Sequence, residues 1–157
     1  MGSYQKVRNN AGEMGWARKI PFTFVIPLIV PAGGLANLAS MSASVQTDPG
    51  LPFILTEMGG AYSLDITNTT AFENRFAFTL LDGESQQNFS NGAVPRERMF
   101  GTRDFPRQLP EAVVITPSDQ LTATWTNNSG AGLAAGVTFT ITLTGYKLVG
   151  FRKDQPE

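Results

Sequence analysis

The chain has 157 residues, a formal net charge of −1, a charged fraction of 16% and an apolar fraction of 41%. That is the length of one domain, with enough apolar side chains for a core and no overall charge suited to a polyanion. It contains no cysteine and no histidine, which excludes disulfides, thiolate metal sites, cysteine nucleophiles, histidine bases and every Ser-His triad.

Charge is uneven along the chain. Residues 1–19 hold Lys6, Arg8, Arg18 and Lys19 against Glu13 alone, whereas the remainder sets eight basic residues against twelve acidic ones. A basic, Gly- and Asn-containing leader before a mildly acidic body predicts an extended N-terminal arm over residues 1–19. Fully stretched, it would reach on the order of 60 Å, far enough to order on a neighbouring subunit. The next segment, "IPFTFVIPLIVPAGG" followed by "LASMSA", superficially copies a secretory signal. Prolines 21, 27 and 31 interrupt it, and Pro27 with Gly33-Gly34 also rules against a membrane-spanning helix. Phe22, Phe24, Ile26, Leu28 and Val30 fall on alternate positions, which predicts a strand, with Pro27 demanding an edge or a bulge.

From there short strands alternate with turn chemistry. "PAGG" (31–34) and "TDPG" (47–50) are turns. Between them "LANLASMSASVQ" is ambiguous, although its serines and neighbours favour a strand. "LPFILTEM" (51–58) and "AYSLDIT" (61–67) read as strands, as does "NRFAFTLL" before an Asp82-Gly83 turn. After a polar stretch, "MFGTRDFPRQLP" reads as a proline-stiffened loop leading into "EAVVIT" (111–116) and "QLTATWT" (120–126). In the second of these Leu121, Ala123 and Trp125 share one face. Last, "VTFTITLTGYKL" sets Val137, Phe139, Ile141 and Leu143 against four threonines, and Gly145 is expected to mark a bulge that lets Tyr146 and Leu148 resume the apolar series. The expected fold is therefore all-β: an antiparallel sandwich over residues 20–150, with a polar tail at 151–157. Length and long central loops suit a jelly roll, while periodicity alone does not separate it from an immunoglobulin-like sandwich.

Little in the chain carries chemistry. Asp82 and Glu84 flank a turn glycine and are expected to be structural, since "DGES" supplies too few oxygens for calcium. Neither phosphate-loop motif occurs, and "GLAAG" (132–136) precedes a strand, so it reads as a turn. No G-x-S-x-G elbow is present. Three N-x-[ST] sequons, at Asn68, Asn88 and Asn127, are of the kind a Thr- and Asn-rich β protein acquires by chance. Trp125 is expected in the core, which leaves few aromatics for sugar stacking. Basic residues interleave with aromatics in one segment: Arg96, Arg98, Phe100, Arg103, Phe105 and Arg107. Glu97 and Asp104 dilute its field for nucleic acid. Internal pairing of Arg103 or Arg107 with Asp104 or Glu111, plus contact with another protein, is the expectation. The basic leader adds Lys6, Arg8, Trp16 and Arg18 as candidate contacts. No metal, cofactor or catalytic residue is expected, and neither is a membrane.

The run "LLDGESQQNFSNGAVPRERMFGTRDFPRQLPEAVVITPSDQLTATWTNNSG", continuing into "VTFTITLTGYKL", resembles small jelly-roll structural proteins of tailed bacteriophages. The likeness lies in the "PRERMFGT" and "FPRQLP" segments, the "ITPSDQLTATWTN" strand and the closing L-x-G-Y-K-L strand, and it spans roughly residues 20–150. It implies a capsid decoration or cement protein on the virion exterior. Such a protein binds the major capsid protein lattice and itself, as a homodimer or homotrimer, and has no enzymatic role. Related modules also occur at the neck and on tails.

Overall fold

The computed structural model describes residues 3–9, 11–62, 76–102 and 105–155. Among these described residues nine strands and one short helix follow in order: β1 (Tyr4–Arg8), β2 (Met14–Ile29), β3 (Ser40–Gln46), β4 (Phe53–Tyr62), β5 (Phe76–Asp82), β6 (Gln87–Asn88), α1 (Arg96–Phe100), β7 (Arg107–Ile115), β8 (Gln120–Asn127) and β9 (Thr138–Arg152). They form two antiparallel sheets, ordered β1-β2-β9-β4-β7 and β3-β8-β5-β6.

The period-2 patterns place the core. Phe24, Ile26 and Leu28 of β2, Phe139, Ile141 and Leu143 of β9, and Leu121, Ala123 and Trp125 of β8 are all buried in one cluster between the sheets. Aromatics dominate it, with the Phe78 and Phe139 ring centroids 4.4 Å apart and Phe76 edge-on to Trp125 at 5.3 Å. Within "LANLASMSASVQ" residues Ser40–Gln46 form strand β3, which pairs with β8. Of the expected strand 61–67, Ala61 and Tyr62 end β4 and the rest lies outside the described residues. The sequon at Asn127 is unavailable to solvent. Its amide is fully buried and donates to the carbonyls of Leu35 (3.0 Å) and Ala131 (2.8 Å), and its Oδ1 accepts from Ser129.

Pro21 and Pro27 sit where a strand can tolerate them. β1 covers only the first part of β2, through Arg18, leaving the rest an open edge beside β9. The Val30 amide donates to Val137 on the β9 side, and the Lys19 amide donates to Ser3 on the opposite side. Odd-numbered residues of β2 therefore turn their nitrogens to the open edge, where the missing proline N–H breaks no ladder bond.

Three expectations are corrected. Residues 4–19 are not a free arm. Tyr4–Arg8 and Met14–Arg18 pair as a hairpin that extends the larger sheet. The sheet also runs past residue 150, since β9 ends at Arg152. The hairpin is anchored because Val7 and Ala17 bury themselves against Ile54 and Leu148 in a second, smaller cluster. Gly145 does not bulge β9. Its register with β2 is continuous from Arg18 to Ile29, and the irregularity near Gly145 lies across the ladder in β4, between Leu55 and Glu57. Leu148 is buried on the face opposite Leu143, in that second cluster, so the apolar series changes faces instead of resuming.

A cationic hairpin face as the candidate functional site

The candidate residues of the N-terminal segment are gathered by the β1–β2 hairpin. Its turn is set by Asn9, whose Oδ1 accepts the amides of Ala11 (3.0 Å) and Glu13 (2.9 Å), and by Gly12 at φ 81°. This is the left-handed conformation that glycine adopts without steric cost. Directly opposed residues share a face of a ladder. Tyr4 opposes Arg18, Lys6 opposes Trp16, Arg8 opposes Met14, and on the other side of β2 Arg152 opposes Trp16. One face of the hairpin thus carries four cations (Lys6, Arg8, Arg18, Arg152) around Tyr4, Met14 and half-buried Trp16. Tyr4 is 41% exposed and Met14 48%. The opposite face carries the anchors Val7 and Ala17.

No acidic group among the described residues pairs with any of those four cations. The nearest candidate in sequence, Glu13, is engaged by Lys153 at 2.7 Å and held below the usual carboxylate range by that hydrogen bond. Arg152 was not legible as part of the site. Only the long β2–β9 pairing brings it there, from the far end of the chain.

The second candidate segment, around α1, does not form a patch. Arg96, Met99 and Phe100 fall at helical spacing i, i+3 and i+4 and turn inward together. Phe100 is fully buried, edge-on to Phe78 with centroids 5.7 Å apart, and Arg96 is buried with its guanidinium 5.2 Å from the Tyr62 ring centroid. Arg96 and Phe100 are therefore core residues, a correction that the spacing in "RERMF" could have signalled. Arg98 is exposed. Arg107 donates to the Arg98 carbonyl at 2.9 Å and forms no ion pair with Glu111, while Asp104 lies outside the described residues. Phe105 stands 78% exposed, and Arg103 lies outside the described residues.

Sequence reasoning missed one further cluster. Asp119, buried at the start of β8, faces Asp82 at the end of β5. Both carboxylates brace the turn: Asp82 Oδ1 accepts the amides of Glu84 (3.0 Å) and Ser85 (3.2 Å), and Asp119 Oδ1 accepts that of Glu84 (2.9 Å). Burial, and then Asp82, push the Asp119 carboxyl up to about 6. Burial works the other way on Asp82, but the Asp119 hydrogen bond and the Ser85 and Glu84 amides outweigh it and hold Asp82 low. The pair shares a proton in the manner of two close carboxyls. Asp119 lines an open surface depression with Gly83, Glu84 and Gln120, and the hydrogen bonds its carboxylate makes there are those of a turn brace.

An all-β molecule of two antiparallel sheets with a basic, aromatic hairpin at one end is the class these features define. The chain matches no protein-family model, no curated protein and no solved structure. Among the described residues no helix is long and apolar enough to cross a membrane, and no three acidic side chains converge to hold a metal.

Proposed function

We propose that the chain is a non-enzymatic structural protein of a tailed-bacteriophage virion, a decoration or cement protein on the capsid exterior that binds the major capsid protein lattice. The fold supports the finer reading of a jelly roll. Strands β2 to β9 divide between the sheets so that β2-β9-β4-β7 faces β3-β8-β5-β6, with β5-β6 the one hairpin of successive strands within a sheet. Each pair of successive strands from β2 to β5 crosses from one sheet to the other, as two interlocked Greek keys require. An immunoglobulin-like sandwich does not have this order.

The observation that carries the functional reading is the hairpin face. Lys6, Arg8, Arg18 and Arg152 surround Trp16 and Tyr4 without a carboxylate among them. Arg, Trp and Tyr are the residues that dominate protein–protein binding energy, and an acidic patch on a capsid subunit would complement this charge. The rival reading, a neck- or tail-associated carbohydrate- or receptor-binding module, would stack sugars on Trp16, Tyr62, Trp125 and Tyr146 and loses two of these four. Trp125 is fully buried, and Tyr62 packs at 4.7 Å from Phe139 in the core.

The test is add-back to capsids that lack the protein. Wild-type chain is expected to co-sediment with them, more weakly as salt rises. The variant K6E/R8E/R18E/R152E is expected to lose at least tenfold in affinity with its circular dichroism unchanged. Equal binding by both proteins would remove the hairpin from the interface, and no binding by either would remove the proposed function.

A further inference from the structure

We propose that the open edge of β3 is a homodimer interface, at which two copies pair antiparallel across a twofold axis through Ala43 and merge their smaller sheets into one continuous sheet. This goes beyond the capsid reading and stands without it.

The inference begins from how the edges are protected. An unpaired strand edge invites pairing with another chain unless it is short, charged, bulged or interrupted by proline. The open part of β2 has Pro21 and Pro27 with their nitrogens facing outward, as derived above. β1 spans only five residues and carries Lys6 and Arg8. β7 contains Pro110, and its register with β4 jumps from Val113 to Gln108. β6 is two residues long. Among the described strands β3 alone departs from this. Its seven residues, "SMSASVQ", include no proline and no charge, and their pairing with β8 is unbroken.

The groups at that edge can be named. The Ala39 carbonyl accepts from Asn127, and the Thr47 amide donates to Asp119, both on the β8 side. Odd-numbered residues of β3 therefore serve β8, and the amides and carbonyls of Ser40, Ser42, Ser44 and Gln46 point to the open edge.

The sequence is close to self-complementary in antiparallel register. With Ala43 opposite its own copy, Ser42 meets Ser44, Met41 meets Val45 and Ser40 meets Gln46. In that register all four edge-facing residues fall at hydrogen-bonded positions, giving four pairs with two bonds each, about eight backbone hydrogen bonds. A shift of the axis by one residue either way loses one of the four pairs. Side chains match on both faces. The partly buried Met41, Ala43 and Val45 lie on the core side. On the outer side Ser40, Ser42 and Ser44 already bond Thr126 (2.7 Å), Thr124 (2.8 Å) and Thr122 (2.9 Å). That hydroxyl ladder leaves the outer face of the edge neutral, and a twofold partner opposes it with no like charge.

The experiment is the mass of the full chain in solution by analytical ultracentrifugation at about 100 µM. Wild type is expected at twice the 16.9 kDa chain mass. The variant S42E/S44E places carboxylates opposite one another across the axis and is expected at the single-chain mass, with circular dichroism unchanged. S42K/S44E places Lys opposite Glu in the same register and is expected to restore the doubled mass. S42P, which removes one edge-facing N–H and no backbone bond to β8, is expected to give the single-chain mass. A single-chain or other mass for wild type, a doubled mass for S42E/S44E or S42P, or a single-chain mass for S42K/S44E would each overturn the proposal.

Discussion

Replacing Gly145 by Ala is expected to destabilise the protein by at least about 3 kcal/mol, among the largest effects a single methyl group can have. Gly145 lies in β9, at the centre of the five-stranded sheet, opposite Phe22 of β2 and Leu55 of β4. A Cβ there would stand 1.8 Å from the Ile54 carbonyl oxygen, 2.9 Å from its carbon and 3.1 Å from the Leu55 Cα. All three are backbone atoms of a paired strand, so no side-chain rotamer can relieve the overlap. β9 must part from β4, and the pairs from Phe53 to Tyr62 open with it. Urea denaturation is the check. Gly92 is the control, because a Cβ there meets nothing within 4 Å, and Gly92→Ala should fall within about 0.5 kcal/mol of wild type. A Gly145→Ala midpoint as close as that would mean the two strands are not held as described.

The second large effect depends on pH. In the folded chain Asp119 holds its proton up to about 6, against about 3.9 when unfolded. A carboxyl raised by folding binds more protons folded than unfolded, so its contribution is most favourable below the unfolded value. That contribution falls as pH rises from about 4 to about 6 and is fully adverse above that. Asp82, held low, contributes in the opposite sense. It stabilises above the unfolded value and loses that contribution as pH falls through its depressed folded value. Asp119→Asn keeps an oxygen for the Glu84 amide and offers an N–H to Asp82, without the second charge. It should raise stability at pH 7.5 by on the order of 2 kcal/mol, roughly 6 °C in Tm for a chain of this size. At pH 4, where Asp119 already carries its proton, the two proteins should melt together. Calorimetry at both pH values decides. An equal shift at each, or a loss at pH 7.5, would mean the two carboxyls do not share a proton.

What could be read from the residues was whatever depended on local alternation. β8 and the first half of β9 declare themselves because apolar residues alternate with threonine, and Pro27 correctly demanded an edge. What was missed required partners distant in sequence. The hairpin reads as an arm because Val7 and Ala17 are isolated apolar residues among polar ones, and their reason appears only when Ile54 and Leu148 are packed beside them. Arg152 joins Trp16 through the β2–β9 ladder, and Asp119 meets Asp82 through the β5–β8 pairing. Gly145 reads as a bulge in its own strand and not as a close approach to β4, since the irregular backbone belongs to the neighbouring strand. The α1 segment was misjudged for another reason. In a helix of five residues the apolar face is two residues wide, and the arginine beside it was read by charge instead of by spacing.

The central proposal is that this chain rides on a capsid through its hairpin face. Electron cryomicroscopy of tailed-phage particles assembled with it tests this most directly. The account predicts density for the two-sheet body on the outside of the head, with Lys6, Arg8, Trp16 and Arg18 turned toward the major capsid protein. Density for the body at the neck or tail instead, or on the head with the hairpin face turned to solvent, would contradict it.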